Sequence, residues 1–169
     1  MKMNTLLEEA IDSWTDTREG LIEEVENLPA NRFDFRPAPE SRSAEELVLH
    51  IMQVALMATG ELTREDTNFH RHPWLRLLAL YSKPIDGISG KRQLRSALRS
   101  TFRDSVKAFR RAGDIHMLQQ IVRFDGNQGT RLQWLHHGIS HEMYHRGQLA
   151  LYARLLGKTP ALTQRIHGS

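Results

Sequence analysis

The chain has 169 residues, a length that suits one domain over residues 1–169. Hydrophobic residues make up 40% of it and charged residues 25%, which is typical of a globular protein. The formal net charge of +3 does not single out a nucleic-acid binder, and the lack of cysteine excludes disulfides, thiolate metal ligands and a cysteine nucleophile.

Targeting signals are not evident in the sequence. Acidic residues lie where a signal peptide would have its apolar core, and no apolar run approaches the roughly 20 residues of a membrane-spanning helix. We therefore expect a cytoplasmic protein that does not enter a membrane.

Periodic apolar residues predict two amphipathic helices in the first part of the chain. The first covers about 4–27, and three prolines predict an extended connection over 29–43. Ser43 and Glu46 have the spacing of a capping box, in which each side chain bonds the backbone amide of the other residue. They predict the start of a second helix over 44–66.

The second part of the chain alternates helical and loop-rich segments. A short helical turn, a third long helix, a short extended piece and a fourth long helix are predicted over 74–81, 91–112, 120–124 and 131–156. Thr130 and Gln133 repeat the capping-box spacing before the fourth helix, and Gly157 followed by Pro160 is a typical helix stop. Four long amphipathic helices favour an all-α four-helix bundle.

Charge is divided unevenly between these helices. The third helix carries a stripe of basic residues at Arg92, Arg95, Arg99 and Arg103, whereas the first helix is acidic. A nucleic-acid or anionic-ligand surface is one interpretation. We favour a solvated face that the first helix partly neutralises, because no interleaved aromatic residues or reading motif accompany the stripe.

Histidines on the fourth helix have the spacing of metal ligands. His137, His141 and His145 are four residues apart and lie on nearly the same face, where two imidazoles can bind one divalent ion. A third ligand must come from elsewhere, and His50 is the best candidate because it lies on the apolar stripe of the second helix. The alternatives are that His50 is a hydrogen-bonded core histidine and that His137 is either a ligand or only a neighbour.

Three neutral imidazoles would give a site whose charge is that of the ion. Such a site suits zinc, nickel or another borderline ion, and it leaves positions open for water or substrate. It can act as a Lewis acid on a water molecule, or bind a thiol substrate as thiolate.

These residues carry a resemblance to a known family. The sequence HEMYHRGQ at 141–148 resembles the HxxxHRGQ signature of the DinB/YfiT-like family. The segments FRPAP at 35–39 and SAEELVLH at 43–50 are similar to the segment that leads into the family's first histidine. The resemblance covers nearly the whole chain.

The resemblance implies more than the spacing does. It implies an up-down-down-up four-helix bundle, often a homodimer, with zinc or nickel held by three histidines that map onto His50, His141 and His145. Members with known activities include thiol-dependent transferases and isomerases that use low-molecular-weight thiols such as bacillithiol or mycothiol.

The hypothesis is a metal-dependent enzyme, either a thiol S-transferase-like protein or a hydrolase. The alternatives are a non-catalytic stress-response or binding protein with a structural metal, and nucleic-acid binding through the third helix. No catalytic residue is assigned. We interpret Glu46 as part of the capping box, Glu142 as a partner in a surface or interhelical ion pair, and Arg146 as structural. Gln53 and Gln148, each one turn after a histidine, are interpreted as polar lining.

Overall fold

Helices dominate the computed structural model, which describes residues 4–168. The helices are α1 (Leu6–Asn27), α2 (Ala44–Leu62), α3 (Trp74–Tyr81), α4 (Gly90–Ala112), α5 (Asp114–Met117), α6 (Arg131–Leu155) and α7 (Ala161–His167). Two short strands, β1 (Gln120–Val122) and β2 (Gln128–Thr130), form an antiparallel hairpin. No helix in this part of the chain is both long and apolar enough to cross a membrane.

The four long helices form the predicted bundle. Both α1 and α2 pack against α4 and against α6. Contacts at both ends of these pairs show that α1 runs parallel to α6 and antiparallel to α4, whereas α2 runs antiparallel to α6. The up-down-down-up topology is therefore confirmed.

The N-termini of the long helices follow the capping predictions with one exception. At the start of α2, Ser43 Oγ accepts from the Glu46 amide (3.1 Å), and the Glu46 carboxylate accepts from the Ser43 amide (2.9 Å). At the start of α6, Thr130 Oγ1 accepts from the Gln133 amide (3.1 Å), but the reciprocal bond is not formed. Thr130 is also the last residue of β2, where it pairs with Gln120.

The second helix ends at Leu62, earlier than the predicted 66. Side chains from elsewhere contact backbone carbonyl groups at and beyond this end of the helix. The buried Arg131 guanidinium donates to the carbonyls of Leu62 (3.1 Å) and Asp66 (3.0 Å). A ring nitrogen of His116 also lies 3.0 Å from the Leu62 carbonyl oxygen.

Two shorter segments flank the bundle. Of the predicted extended piece over 120–124, residues 120–122 form β1. The turn that follows contains Gly126 with φ of 84°, a conformation that favours glycine. The helix α7 was not predicted. It packs on α1, where the Glu24 carboxylate accepts from the Ala161 amide (3.0 Å).

Charges pair along the α1–α4 contact. Glu26 of α1 lies 3.0 Å from the Arg99 guanidinium and 3.4 Å from that of Arg95, and Glu8 accepts from Arg110 (2.8 Å). The basic stripe is thus partly neutralised by the first helix, as we favoured from the sequence.

The interior has apolar ends and a polar middle. Along α1, Trp14 belongs to one apolar cluster and Leu21 to the other, and Ile139 and Leu149 are divided in the same way on α6. The residues between these clusters form a polar layer: Arg18, His50, His141, Glu142, His145 and Arg146. All the predicted metal ligands lie in this layer.

Candidate metal centre

The structure brings the three predicted ligands together between α2 and α6. His141 Nε2 lies 3.3 Å from His50 Nε2 and 3.0 Å from His145 Nε2. One ligand atom from each ring lies within 4.8 Å of the other two, and no Asp or Glu of the described residues joins the group. His137 is not part of it, although it lies one turn before His141.

These distances fit a divalent ion. Two nitrogens that are each about 2.1 Å from a tetrahedral zinc ion lie roughly 3.4 Å apart. The Nε2 separations that His141 makes with its two neighbours are close to that value. Three imidazoles would supply three of the four ligands of a tetrahedral ion and would leave the fourth to water or substrate.

The environment keeps the three rings neutral. Burial lowers the pKa of His50 to about 4, and the positive charge of Arg42 adds to the effect. Burial likewise lowers the pKa of His141 to about 3, with further contributions from His145 and His50. The pKa of His145 is also lowered by burial, although the hydrogen bond with Gln148 acts in the opposite direction. Neutral imidazole is the form that binds a metal.

Gln148 orients one of the rings. His145 Nδ1 lies 2.7 Å from Gln148 Oε1, which can only accept a hydrogen bond. The proton of neutral His145 is therefore on Nδ1, and Nε2 directs its lone pair toward the group. Such outer contacts typically fix the tautomer of a metal-binding histidine. The polar lining predicted at Gln148 thus has a specific role.

His141 has no comparable partner. Its Nδ1 is buried and has no hydrogen-bond partner among the described residues. A buried polar atom without a partner costs free energy. His141 Nε2 also faces the Nε2 atoms of two other histidines and has at most one proton to share between them. A cation bound by all three Nε2 atoms would satisfy each of their lone pairs.

Glu142 lies on a different side of α6 and makes a different kind of contact. Its carboxylate accepts from the Trp14 indole (2.9 Å) and from Arg18 Nε (3.0 Å), and it also forms a very close ion pair with Arg18 Nη2. Both partners of the ion pair are almost fully buried. Of the two predicted forms, the interhelical ion pair is confirmed and the surface one is wrong.

Two further predictions concern residues near the ligands. The Glu46 carboxylate closes the capping box and also pairs with Arg36, so its contacts do not reach a ligand. Arg146 packs on α1 so closely that a Cβ at Gly20 would lie 2.1 Å from its Cζ. That contact agrees with a structural role for Arg146.

An apolar cavity of about 100 Å³ adjoins one of the three histidines, His141. His141 forms part of its wall, and so do His137 and Gly138 from the preceding turn of α6. Sequence periodicity did not predict this cavity, because other parts of its wall come from segments outside the four long helices.

The fold and the site define a class: up-down-down-up four-helix bundles with a group of three histidines between two antiparallel helices. A sequence model of the DinB family matches residues 1–167, and the chain belongs to that family. A comparison with functionally curated proteins finds no match.

Solved structures share the fold at low sequence identity. YfiT from Bacillus subtilis is described as a probable metal-dependent hydrolase with an unusual four-helix bundle topology. It has a TM-score of 0.72 and 13% identity, over 94% of this chain and 92% of its own. The DinB-like protein YjoA from Bacillus subtilis has a TM-score of 0.67 and 20% identity, over 89% of this chain and 93% of its own.

A third similar structure is a mycothiol-dependent maleylpyruvate isomerase. It has a TM-score of 0.66 and 15% identity, over 87% of this chain. This chain spans only 63% of the isomerase. At these identities the likeness shows a shared fold.

Proposed function

We propose that the protein is a metal-dependent enzyme whose divalent ion is bound by His50, His141 and His145. The observation that carries the proposal is the convergence of three neutral imidazole nitrogens in a group that no carboxylate joins within the described residues. A bound zinc or nickel ion would supply a Lewis acid that lowers the pKa of water toward about 7 or holds a thiol as thiolate.

The protein's own residues prepare the site for such chemistry. Gln148 fixes the tautomer of His145, and burial keeps the rings deprotonated at neutral pH. The adjoining apolar cavity offers room for a substrate beside His141. Arg42 is exposed and its charge acts on all three rings, so it favours a substrate that brings a negative charge.

The reaction that we propose is transfer to or from a low-molecular-weight thiol, with hydrolysis as the other reaction open to the same site. The chain has no cysteine, so the thiol must arrive as a cosubstrate. The fold that it shares with the mycothiol-dependent isomerase supports the thiol reaction, and the description of YfiT supports hydrolysis.

Family resemblance also underlies our proposal that the chain forms a homodimer, which sedimentation equilibrium tests.

Metal analysis of the purified protein tests the ligand assignment. We expect one zinc or nickel ion per chain, and at least about a 100-fold loss of affinity in His50→Ala, because two imidazoles would remain. His137→Ala is the matched control, since it removes a histidine one helical turn before His141 without removing a proposed ligand. Equal losses in the two variants would contradict the assignment.

Activity assays then separate the reactions. The metal-loaded protein is incubated with bacillithiol, mycothiol or glutathione and a panel of electrophiles, and in parallel with ester and amide substrates without thiol. Turnover that needs both thiol and metal supports transfer, and turnover without thiol supports hydrolysis. A metal that raises the melting temperature but supports neither reaction would favour a structural role.

A further inference from the structure

Aromatic rings form much of the wall of the cavity beside the metal centre. They are Phe69, Trp74, Phe124 and Trp134. The centroids of the Trp74 and Phe124 rings are 4.7 Å apart, so these two side chains pack directly on each other. Flat apolar walls of this kind complement a flat apolar ligand.

The one strongly charged residue of the wall is already neutralised. The Arg123 guanidinium lies 3.5 Å from the centroid of the Trp134 ring, and its Nε donates to Asp125 (2.8 Å). Because the charge has a close carboxylate partner, the cavity does not select for an anion. A neutral ring is the occupant that its chemistry favours.

Size limits the occupant further. The cavity has a volume of about 100 Å³. An apolar cavity of about 150 Å³ in another protein holds one benzene molecule. A single six-membered ring is therefore the largest rigid group that we expect to enter.

The position of His141 connects the cavity with the metal centre. His141 lines the cavity, and its Nε2 lies within 3.3 Å of the Nε2 atoms of both other histidines. A ring held in the cavity would lie against His141, and a substituent of that ring could reach an ion bound by the three histidines. This step rests on the proposed function, whereas binding of the ring itself does not.

We propose that this cavity binds a single-ring aromatic group of the substrate and so directs the ring's reactive substituent to the metal centre. The substrate class is thus aromatic compounds of one ring that carry their reacting atom on a substituent of the ring. A purely aliphatic substrate of the same chemistry would leave the aromatic walls without a partner.

Two glycines of α6 provide a matched pair of variants. Gly138 lines the cavity, and a Cβ at this position would meet no atom within 4 Å, so the leucine of Gly138→Leu has open cavity space to fill. Gly147 is exposed on the same helix, and a Cβ there also meets no atom within 4 Å. Both changes replace glycine by a better helix former, so both variants should fold.

The first arm uses zinc-loaded protein and two probes with the same chelating group, benzohydroxamate and acetohydroxamate. We expect the wild type and Gly147→Leu to bind benzohydroxamate at least about tenfold more tightly, because only that probe buries a ring. In Gly138→Leu the two affinities should become equal, with that for acetohydroxamate unchanged. Equal affinities in the wild type, or an undiminished preference in Gly138→Leu, would overturn the inference.

The second arm uses metal-free protein and phenol, followed by tryptophan fluorescence. Phenol should quench the wild type and Gly147→Leu saturably, but not Gly138→Leu. If neither hydroxamate binds the zinc-loaded protein, the proposed open metal site fails, and phenol alone decides the inference about the cavity. Absence of saturable phenol binding to the wild type in that case would overturn it.

Discussion

Two neighbouring residues of α6 show two ways of burying polar groups. Glu142 accepts three hydrogen bonds from Trp14 and Arg18, and its charge is balanced by the Arg18 guanidinium. His141, one position earlier, contacts two other imidazoles, and its Nδ1 has no partner in the described part of the chain. The two side chains differ by about 100° around the helix and therefore face different neighbours.

The difference separates a structural polar contact from a candidate binding site. A buried network whose donors and acceptors are all matched needs nothing further, and it specifies how α1 and α6 pack. The three histidines instead bring neutral ring nitrogens close together without a charged partner, and a bound cation would provide that partner. The ion pair should therefore affect mainly stability, and the histidines mainly ligand binding.

Removing the carboxylate should have the largest effect on stability. We expect Glu142→Ala to lower the free energy of unfolding by about 3–5 kcal/mol, because Arg18 would remain buried without its counter-charge. Urea denaturation measures this change. The double variant Arg18→Met with Glu142→Leu should recover most of the loss, since no charge is then left unpaired. A loss below about 1 kcal/mol in Glu142→Ala would contradict the role of the ion pair.

Metal loading should stabilise the protein through the histidines alone. At a free zinc concentration 100 times the dissociation constant, linkage predicts about 2.7 kcal/mol of added stability. For a chain of this length that corresponds to a rise in melting temperature of roughly 5 to 10 °C. Differential scanning fluorimetry with and without a chelator measures it. The same rise in His141→Ala would show that zinc acts elsewhere.

Gln148 should affect metal affinity more than stability. We expect Gln148→Ala to weaken zinc binding about tenfold, because His145 would lose the acceptor that fixes its tautomer. Competition with a zinc-sensitive dye measures the affinity. Gln133→Ala is the control, since this exposed glutamine lies on the same helix away from the group. Equal weakening in both variants would argue against an orienting role for Gln148.

The smallest effect is expected at Glu46. Glutamine retains an acceptor for the Ser43 amide, so Glu46→Gln should preserve the capping box and leave zinc affinity unchanged. The same dye competition checks this. A clear loss of zinc affinity would contradict this expectation and would mean that the Glu46 carboxylate influences zinc binding through His50.

The sequence predicted much of the site because the necessary information is local. The spacing of His141 and His145 places both rings on one face of a helix, and the apolar stripe around His50 indicates an inward direction. Bringing α2 beside α6 required the family resemblance, because periodicity alone does not order the helices of a bundle.

The sequence contains a signal for the buried cation of the ion pair. The apolar stripe of the first helix passes from Trp14 to Leu21, and Arg18 occupies the position between them. A cation on an inward face needs a buried acid, and Glu142 satisfies it from another helix. The choice among the many acids of the chain depends on tertiary packing.

The cavity could not be predicted for a related reason. Trp74 lies after the loop that follows α2, whereas Phe124 lies just after β1. The contact between their rings therefore depends on how these two segments outside the long helices pack on each other. No periodic pattern relates segments that lie this far apart in sequence. The early end of α2 likewise depends on Arg131, a residue from the far part of the chain.

Backbone hydrogen bonds join the loop after α2 to β1. The Phe69 amide donates to the Val122 carbonyl (2.7 Å), and the Val122 amide donates to the Thr67 carbonyl (2.8 Å). Opening of the aromatic walls would have to break this short ladder, so amide hydrogen exchange at Phe69 and Val122 should report the same local opening. A ligand that closes the walls would slow exchange at both amides together, although the two residues belong to different segments.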